Sequence, residues 1–199
     1  MTSRAAPLLA QTAARAAECR ACPLWINATQ TVFGEGPVPA NLMLVGEQPG
    51  DREDEGGRPF VGPAGRELDV ALETAGIGRD DVYLTNAVKH FKHEQRGKRR
   101  IHKKPNAGEI SACHPWIEDE LALVTPRVVV AMGAVAVRSL LGRPATIASL
   151  RGSVVPVGDA LGVVTIHPSA ILRADDARDE MRAGLVRDLR RAAELAADL

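Results

Sequence analysis

Between His90 and Pro105 the chain reads HFKHEQRGKRRIHKKP: seven Lys or Arg and three His in sixteen residues, against one acid, Glu94. Lys98, Arg99 and Arg100 are residue types that grip a phosphate backbone through charge and N–H donors. Such a grip needs no imidazole, yet His102 sits inside the run. A neutral imidazole is a nucleophile or proton acceptor near neutral pH, so His102 is a candidate for bond-making. The cysteines form a second constellation, Cys19 and Cys22 in a C-x-x-C pair with Cys113 far downstream. That set suits metal ligation, and equally the plain burial of small apolar thiols.

These groups must be positioned by the elements around them. Four β-rich runs, NLMLVGEQPG, DVYLTNAVKH, PRVVVAMGAVA and LGVVTIHPS, each end where polar residues take over. Helical patterns lie between them. AGRELDVALETAG places Leu68, Leu72 and Ala75 on one face and stops at Gly76, NAGEISACHPWIEDELALV continues as helix beyond Pro115, and GAVAVRSLLG is a third. The C-terminal ARDEMRAGLVRDLRRAAELAADL carries Met181, Leu185, Leu189 and Ala192 on one stripe. Strands alternating with helices imply parallel pairing through helical crossovers. The expected fold is therefore α/β, a three-layer α/β/α arrangement around a central four-stranded parallel sheet. Ligands of open sheets bind beyond the carboxyl ends of the strands, where this chain places Glu47, Asn86, Met132 with Gly133, and His167.

The 199 residues suffice for one buried core. We read 1–199 as a single domain with an N-terminal Cys-x-x-Cys segment and a basic loop at about 89–105. Net charge is zero, so affinity for nucleic acid has to come from local charge distribution. DREDEGG at 51–57 packs four acids into seven positions and, with the basic run, predicts separated patches of potential. No run approaches the ~18 apolar residues of a membrane span. The N-terminal apolar stretch is too short for a signal peptide, so a cytoplasmic, monomeric protein without a membrane partner is expected. An odd cysteine count argues against a disulfide framework.

GEQPGDREDEGGRPFVGPAG, residues 46–65, breaks the strand pattern at Glu47, restarts order near Ala64 and reads as one long loop. Phe60 lies within it, between stiffening prolines, in a chain with only 3% aromatics. An aromatic held beside a strand-end pocket suits stacking on a planar base, and a core Phe is the bland alternative.

GEQPG, GRPFVGPAG, TNAVK and HPS, in this order and spacing, closely resemble the signature segments of the iron-sulfur uracil-DNA glycosylases, the family-four group. The resemblance runs from the cysteine pair to HPS at 167–169. It implies a uracil-DNA glycosylase-like fold, uracil-containing DNA as partner and free uracil as product. Single strands are favoured because extruding a base costs least there. By this resemblance Asn86 reads the uracil edge, accepting from the ring N–H and donating to the neighbouring carbonyl, a pattern that cytosine reverses. Phe60 stacks on the extruded base, and His167 meets the carbonyl on which charge builds as the glycosidic bond breaks. The Gln48 backbone and Asp51 are candidates for crowding a thymine methyl, and Ser169 and Arg173 of HPSAILR for contacting DNA. Without the resemblance, Asn86 reads as a strand-end cap and His167 as a structural histidine.

The family carries four cysteine ligands, one of them following TN-x-V-K, where this chain has His90. Iron-sulfur clusters accept His in place of Cys. The resemblance thus implies a structural [4Fe-4S] cluster on Cys19, Cys22, His90 and Cys113, whereas spacing alone leaves a Cys3His zinc site open. Finally, GKRRIH resembles the extra loop of one branch of the superfamily, whose members become covalently bonded to uracil-containing DNA. On that reading His102 attacks the sugar carbon that uracil leaves, Glu47 orients the imidazole or takes its proton, and Lys98, Arg99 and Arg100 hold flanking phosphates. A conventional multiple-turnover glycosylase and a non-catalytic uracil-DNA binding protein are the alternatives. His93 reads as a solvated side chain.

Overall fold

The computed structural model describes residues 4–199. Helix α1 (Ala5–Ala17) and a 3-10 turn (Pro23–Ile26) precede strand β1 (Leu42–Gly46). Then come α2 (Asp51–Gly56), α3 (Pro63–Ala75), β2 (Val82–Asn86), β3 (His93–Arg96), β4 (Arg99–His102) and α4 (Ala107–Val124). The chain continues through β5 (Val128–Met132), α5 (Ala134–Leu141), α6 (Ile147–Leu150), β6 (Val154–Val157), β7 (Ala160–Thr165), α7 (Ser169–Leu172) and α8 (Arg178–Asp198).

The central sheet has the order β2-β1-β5-β7-β6, with β2, β1, β5 and β7 parallel. Successive residues of a strand point to opposite faces, and here both faces are apolar. Met43, Val45, Tyr83, Val129 and Ala131 pack with Ile110 and Ile117 of α4 and Val135 of α5. Leu42, Leu44, Val82, Leu84, Val128 and Val130 pack with Leu68 and Leu72 of α3 and Leu185, Leu189 and Ala192 of α8. Each such fully buried Leu or Val contributes about 1.5–3 kcal/mol over its exposed state, so the apolar helix stripes are what fix the three layers.

Three expectations are corrected. The sheet has a fifth strand, β6, antiparallel to β7 at the edge. Its sequence VVPV is short and broken by Pro156, which an edge strand accommodates because the missing N–H need serve no further neighbour. Residues 46–65 are not one loop: Asp51, Glu53 and Asp54 fill the first turn of α2, where carboxylates meet the exposed N–H end of a helix, and Gly57 closes it at φ 70°. The basic segment is not a loop either. β3 and β4 pair antiparallel through the two-residue turn Gly97-Lys98, with Gly97 at φ 59° as a type II′ turn requires at its first central position. Among the described residues, no helix is long and apolar enough to cross a membrane.

Candidate active site

The parallel register sets Gly46, at the end of β1, against Asn86, at the end of β2. A Cβ placed on Gly46 would fall within 3.4 Å of Asn86 Oδ1, Phe60 Cζ and His167 Nε2. Only glycine fits there, and residues from three distant parts of the chain converge on it. They border a cavity of about 640 Å³ that is also lined by Gln48, Asp51, His102, Ser169 and Arg173. A neighbouring cavity of about 410 Å³ shares Gln48, His102, His167, Ser169 and Arg173 and adds Glu47 and Gly133. Asn86 is buried, and its Oδ1 has no hydrogen-bond partner. An orphaned buried acceptor costs about 1–3 kcal/mol, a cost that a ligand N–H would remove.

Phe60 is buried with φ 56°, a left-handed conformation costing a non-glycine residue about 1–3 kcal/mol. The surrounding structure imposes it. Arg79 Nη2 donates to the carbonyls of Pro59 and Phe60, each at 3.2 Å, while the same guanidinium pairs with Asp69. The Glu53 carboxylate accepts from Gly50 N–H at 3.1 Å and Gly62 N–H at 2.8 Å, tying the two ends of the segment together. Gly65 lets α3 approach, since a Cβ there would collide with the Phe60 carbonyl. The ring lies 6.2 Å from that of His167, with planes inclined by 30°. Phe60 stands out in the sequence as a rare aromatic; Glu53 and Arg79 carry no local signal, because their partners are contacts of the folded chain.

His167 has its tautomer set by its neighbours. Its Nδ1 accepts from the Ser169 backbone N–H at 3.2 Å and pairs with Ser169 Oγ at 2.8 Å, while Ser169 Oγ accepts from Arg173 Nη1 at 3.1 Å. With Nδ1 an acceptor, the proton of the neutral ring sits on Nε2, the nitrogen beside Gly46. Burial, with help from His102 and Arg173, pushes the pKa of His167 down to about 4. Near pH 7 it is a neutral N–H donor. The Ser169 hydroxyl is thereby spent on His167.

The hairpin brings His102 to the same cavity, half-exposed, with Nε2 3.5 Å from Glu47 Oε1. This separation is longer than a well-made hydrogen bond. Burial and Arg173 lower the pKa of His102. Burial raises that of Glu47, opposed by Lys104 and Arg173. Gln48 holds the hairpin base: its Nε2 donates to the carbonyls of Lys92 (3.2 Å) and Lys103 (3.1 Å), and its Oε1 accepts from Lys92 N–H (3.1 Å).

Arg100 is a correction. It donates to Asp51 Oδ1 (2.5 Å), Asp54 Oδ2 (2.5 Å) and Thr29 Oγ1 (3.0 Å), and lies over the Phe91 ring. Its guanidinium is therefore neutralised by α2 instead of being presented to phosphates. The acidic and basic segments, expected to form separate patches, are joined through it. Asp51 borders the cavity but is engaged by the same arginine. Lys98 and Arg99 remain exposed at the hairpin turn. His93, expected in solvent, faces His102 across the hairpin and stacks on Phe91 at 5.0 Å, with its Nδ1 buried and unpartnered.

The three cysteines are free thiols. Trp116 Nε1 donates to Cys19 Sγ at 3.3 Å and the Lys89 backbone N–H to Cys113 Sγ at 3.2 Å. Burial raises the Cys22 pKa and pushes that of Cys113 up to about 11, and the three sulfurs are close enough to influence one another. His90 is buried with Nε2 2.9 Å from Thr31 Oγ1, and burial, then Arg20, lowers its pKa. Among the described residues, no group of three or more His, Cys, Asp or Glu is arranged to hold a metal ion. A cluster carries its ligands on its corners, wider apart than those of one ion. Neighbouring thiols that accept N–H bonds, and a His90 imidazole whose burial favours the neutral form, fit such a cluster in donor chemistry.

Residues 33–190 match the family described as the uracil DNA glycosylase superfamily. The chain is 36% identical over 180 residues to the type-4 uracil-DNA glycosylase of Thermotoga maritima, covering 89% of each chain. It is 36% identical over 176 residues to the type-4 uracil-DNA glycosylase of Pyrobaculum aerophilum, covering 84% of this chain and 86% of the relative. A type-5 uracil-DNA glycosylase of that organism is 30% identical over 193 residues, covering 79% of this chain and 80% of the relative. The match spans the sheet and every strand end that lines the cavity: the chain belongs to the uracil-DNA glycosylase superfamily.

Proposed function

We propose that this chain is a uracil-DNA glycosylase that is captured by its own product, ending bonded through His102 to the abasic sugar. The observation that carries the glycosylase reading is the convergence of the orphaned Asn86 Oδ1, the Phe60 ring and the Nε2 of neutral His167 beside Gly46. Uracil offers an N–H for Asn86 Oδ1 and a carbonyl for the amide NH2, while cytosine would leave both mispaired. The names of the type-4 relatives support uracil in DNA as the substrate.

The steps follow from these positions. The base is extruded and stacks on Phe60. As the bond between C1′ and the base breaks, its electron pair goes to uracil, and the Nε2–H of His167 donates to the carbonyl gaining charge. An imidazole nitrogen of His102 then bonds to C1′ and the ring proton passes to Glu47. The uracil anion takes its proton from water. The 3.5 Å approach of Glu47 to His102, the lowered His102 pKa and the likeness of GKRRIH to the loop of the UdgX branch support the covalent step.

Lys98 and Arg99 at the turn, and Arg173 at the cavity, supply phosphate contacts, whereas Ser169, with both its N–H and its hydroxyl bonded to His167, orders that ring. Asp51 and the Gln48 backbone border the space a thymine methyl would occupy. Single strands are preferred, since extrusion there costs least, and the chain acts in the cytoplasm as a monomeric single domain. Cys19, Cys22, His90 and Cys113 would hold a [4Fe-4S] cluster, whose contribution is to tie the N-terminal segment to the stretch that leads into the hairpin.

The test is to mix the protein with an excess of single-stranded uracil-containing oligonucleotide and measure free uracil. The expected result is one uracil per protein. Many uracils per protein would establish the conventional glycosylase, and none would establish a binding protein.

A further inference from the structure

Beneath the base-reading end of β2 lies a charged pair that the reaction does not use. Lys89 and Glu120 have side chains 1% and 0% exposed, with Nζ 2.5 Å from Oε2. Lys89 Nζ also donates to Thr85 Oγ1 at 2.7 Å and to the backbone carbonyl of Asn86 at 2.8 Å, which uses all three ammonium protons. Glu120 Oε1 accepts from Thr85 Oγ1 (2.9 Å), Tyr83 Oη (3.0 Å) and Gly34 N–H (3.0 Å). The network is saturated, and it ends on Asn86 itself.

We propose that Lys89 and Glu120 are positioning residues that hold the Asn86 amide in register to read uracil; this rests on Asn86 being the base-reading residue. Two observations point there. Asn86 Oδ1 has no protein partner, so nothing at that oxygen anchors the side chain before the base arrives, and its placement comes from the backbone beneath. That backbone is gripped from two sides, by Lys89 at the Asn86 carbonyl and by β1, where Ala87 N–H donates to the Gly46 carbonyl (3.0 Å) and Val88 N–H to the Glu47 carbonyl (3.1 Å). Apolar residues of similar volume usually serve a core at least as well as a buried ion pair. A polar network at this place is explained by the geometry it imposes, to which recognition by a buried amide is sensitive.

The test combines Lys89→Met with Glu120→Gln. The double variant buries no unpaired charge, keeps acceptors for Gly34 and Tyr83, and leaves the Asn86 carbonyl without its ammonium donor. Free-uracil affinity by calorimetry and single-turnover uracil release are measured in the wild type, in the double variant, in Asn86→Ala and in the triple combination, with binding to abasic DNA alongside. The expected result is a loss of roughly tenfold in uracil affinity and release, the scale of one displaced hydrogen bond, with unchanged abasic-DNA binding and no further loss when Asn86 is already Ala. Equal losses in both backgrounds, or no loss in the double variant, would overturn the proposal. If Asn86→Ala alone leaves uracil affinity intact, the base-reading assignment is what fails. Should the double variant not fold, Thr85→Val, which deletes the hydroxyl bridging the pair, is measured in the same two backgrounds. A smaller loss that vanishes with Asn86→Ala is expected, and one that persists overturns the proposal.

Discussion

A histidine that attacks a sugar has to be neutral when it does so, and half-burial beside Arg173 lowers the His102 pKa below its ordinary 6.5. Glu47 has to be ionised to take the proton, and burial raises its pKa above 4.5. On the proposed mechanism, trapping is therefore full above both pKa values and is lost as the pH falls through them. His167 stays neutral over this range because its pKa is about 4. We predict that adduct formation drops as the pH falls from neutrality through the range below the ordinary imidazole pKa, while uracil release persists to lower pH. Single-turnover rates of both, followed across that range, check it; parallel loss would contradict separate roles for the two histidines. At this scale the sequence shows His102 by its setting among cations and Asn86 and His167 by their place at strand ends. It hides the protonation states, which depend on burial and on neighbours from other segments.

The hairpin carrying His102 is held to the body by Gln48 at its base and by Arg100 along its length. Arg100→Ala would leave Asp54, fully buried, without its cation, and removing one partner of a buried pair is strongly destabilising locally. Adduct formation should slow by at least about tenfold, with uracil release affected less, as read from single-turnover time courses. Gly65→Ala would drive a Cβ into the Phe60 carbonyl. Overpacking of this kind costs about 1–3 kcal/mol, to be measured by urea denaturation, and uracil release should fall with it as Phe60 shifts. The four parallel strands are legible because each is a mostly apolar run buried on both faces. β6 and α2 are not, because Pro156 interrupts one and the other is six residues with four acids. The hairpin is masked by its charge: Gly97 is its one turn signal, and Arg100 reads as a phosphate contact until the acids of α2 fold against it.

Across the whole molecule, strand-helix alternation and the Leu68/Leu72 and Leu185/Leu189 stripes make the three-layer fold readable from sequence, and with it the carboxyl end of the sheet where the site lies. What escapes is the long-range wiring. Lys89 and Glu120 are 31 residues apart in the chain and Arg100 and Asp54 are 46 apart, so neither pair leaves a local pattern. The N-terminal cysteines belong to this scale as well, since they lie beside Cys113 of α4. Purified protein should contain about four irons and absorb in the blue, and Cys22→Ser should lower both the iron content and Tm; stoichiometric zinc with no colour would contradict the cluster. The central claim, that the chain excises uracil and is then held by the sugar through His102, is tested by denaturing electrophoresis after incubation with a uracil-containing oligonucleotide. The account predicts a shifted band that survives heat and detergent for the wild type, and for His102→Ser no such band but continued uracil release, with water taking the place of the imidazole. A shifted band that persists in His102→Ser, or none in the wild type, would contradict it.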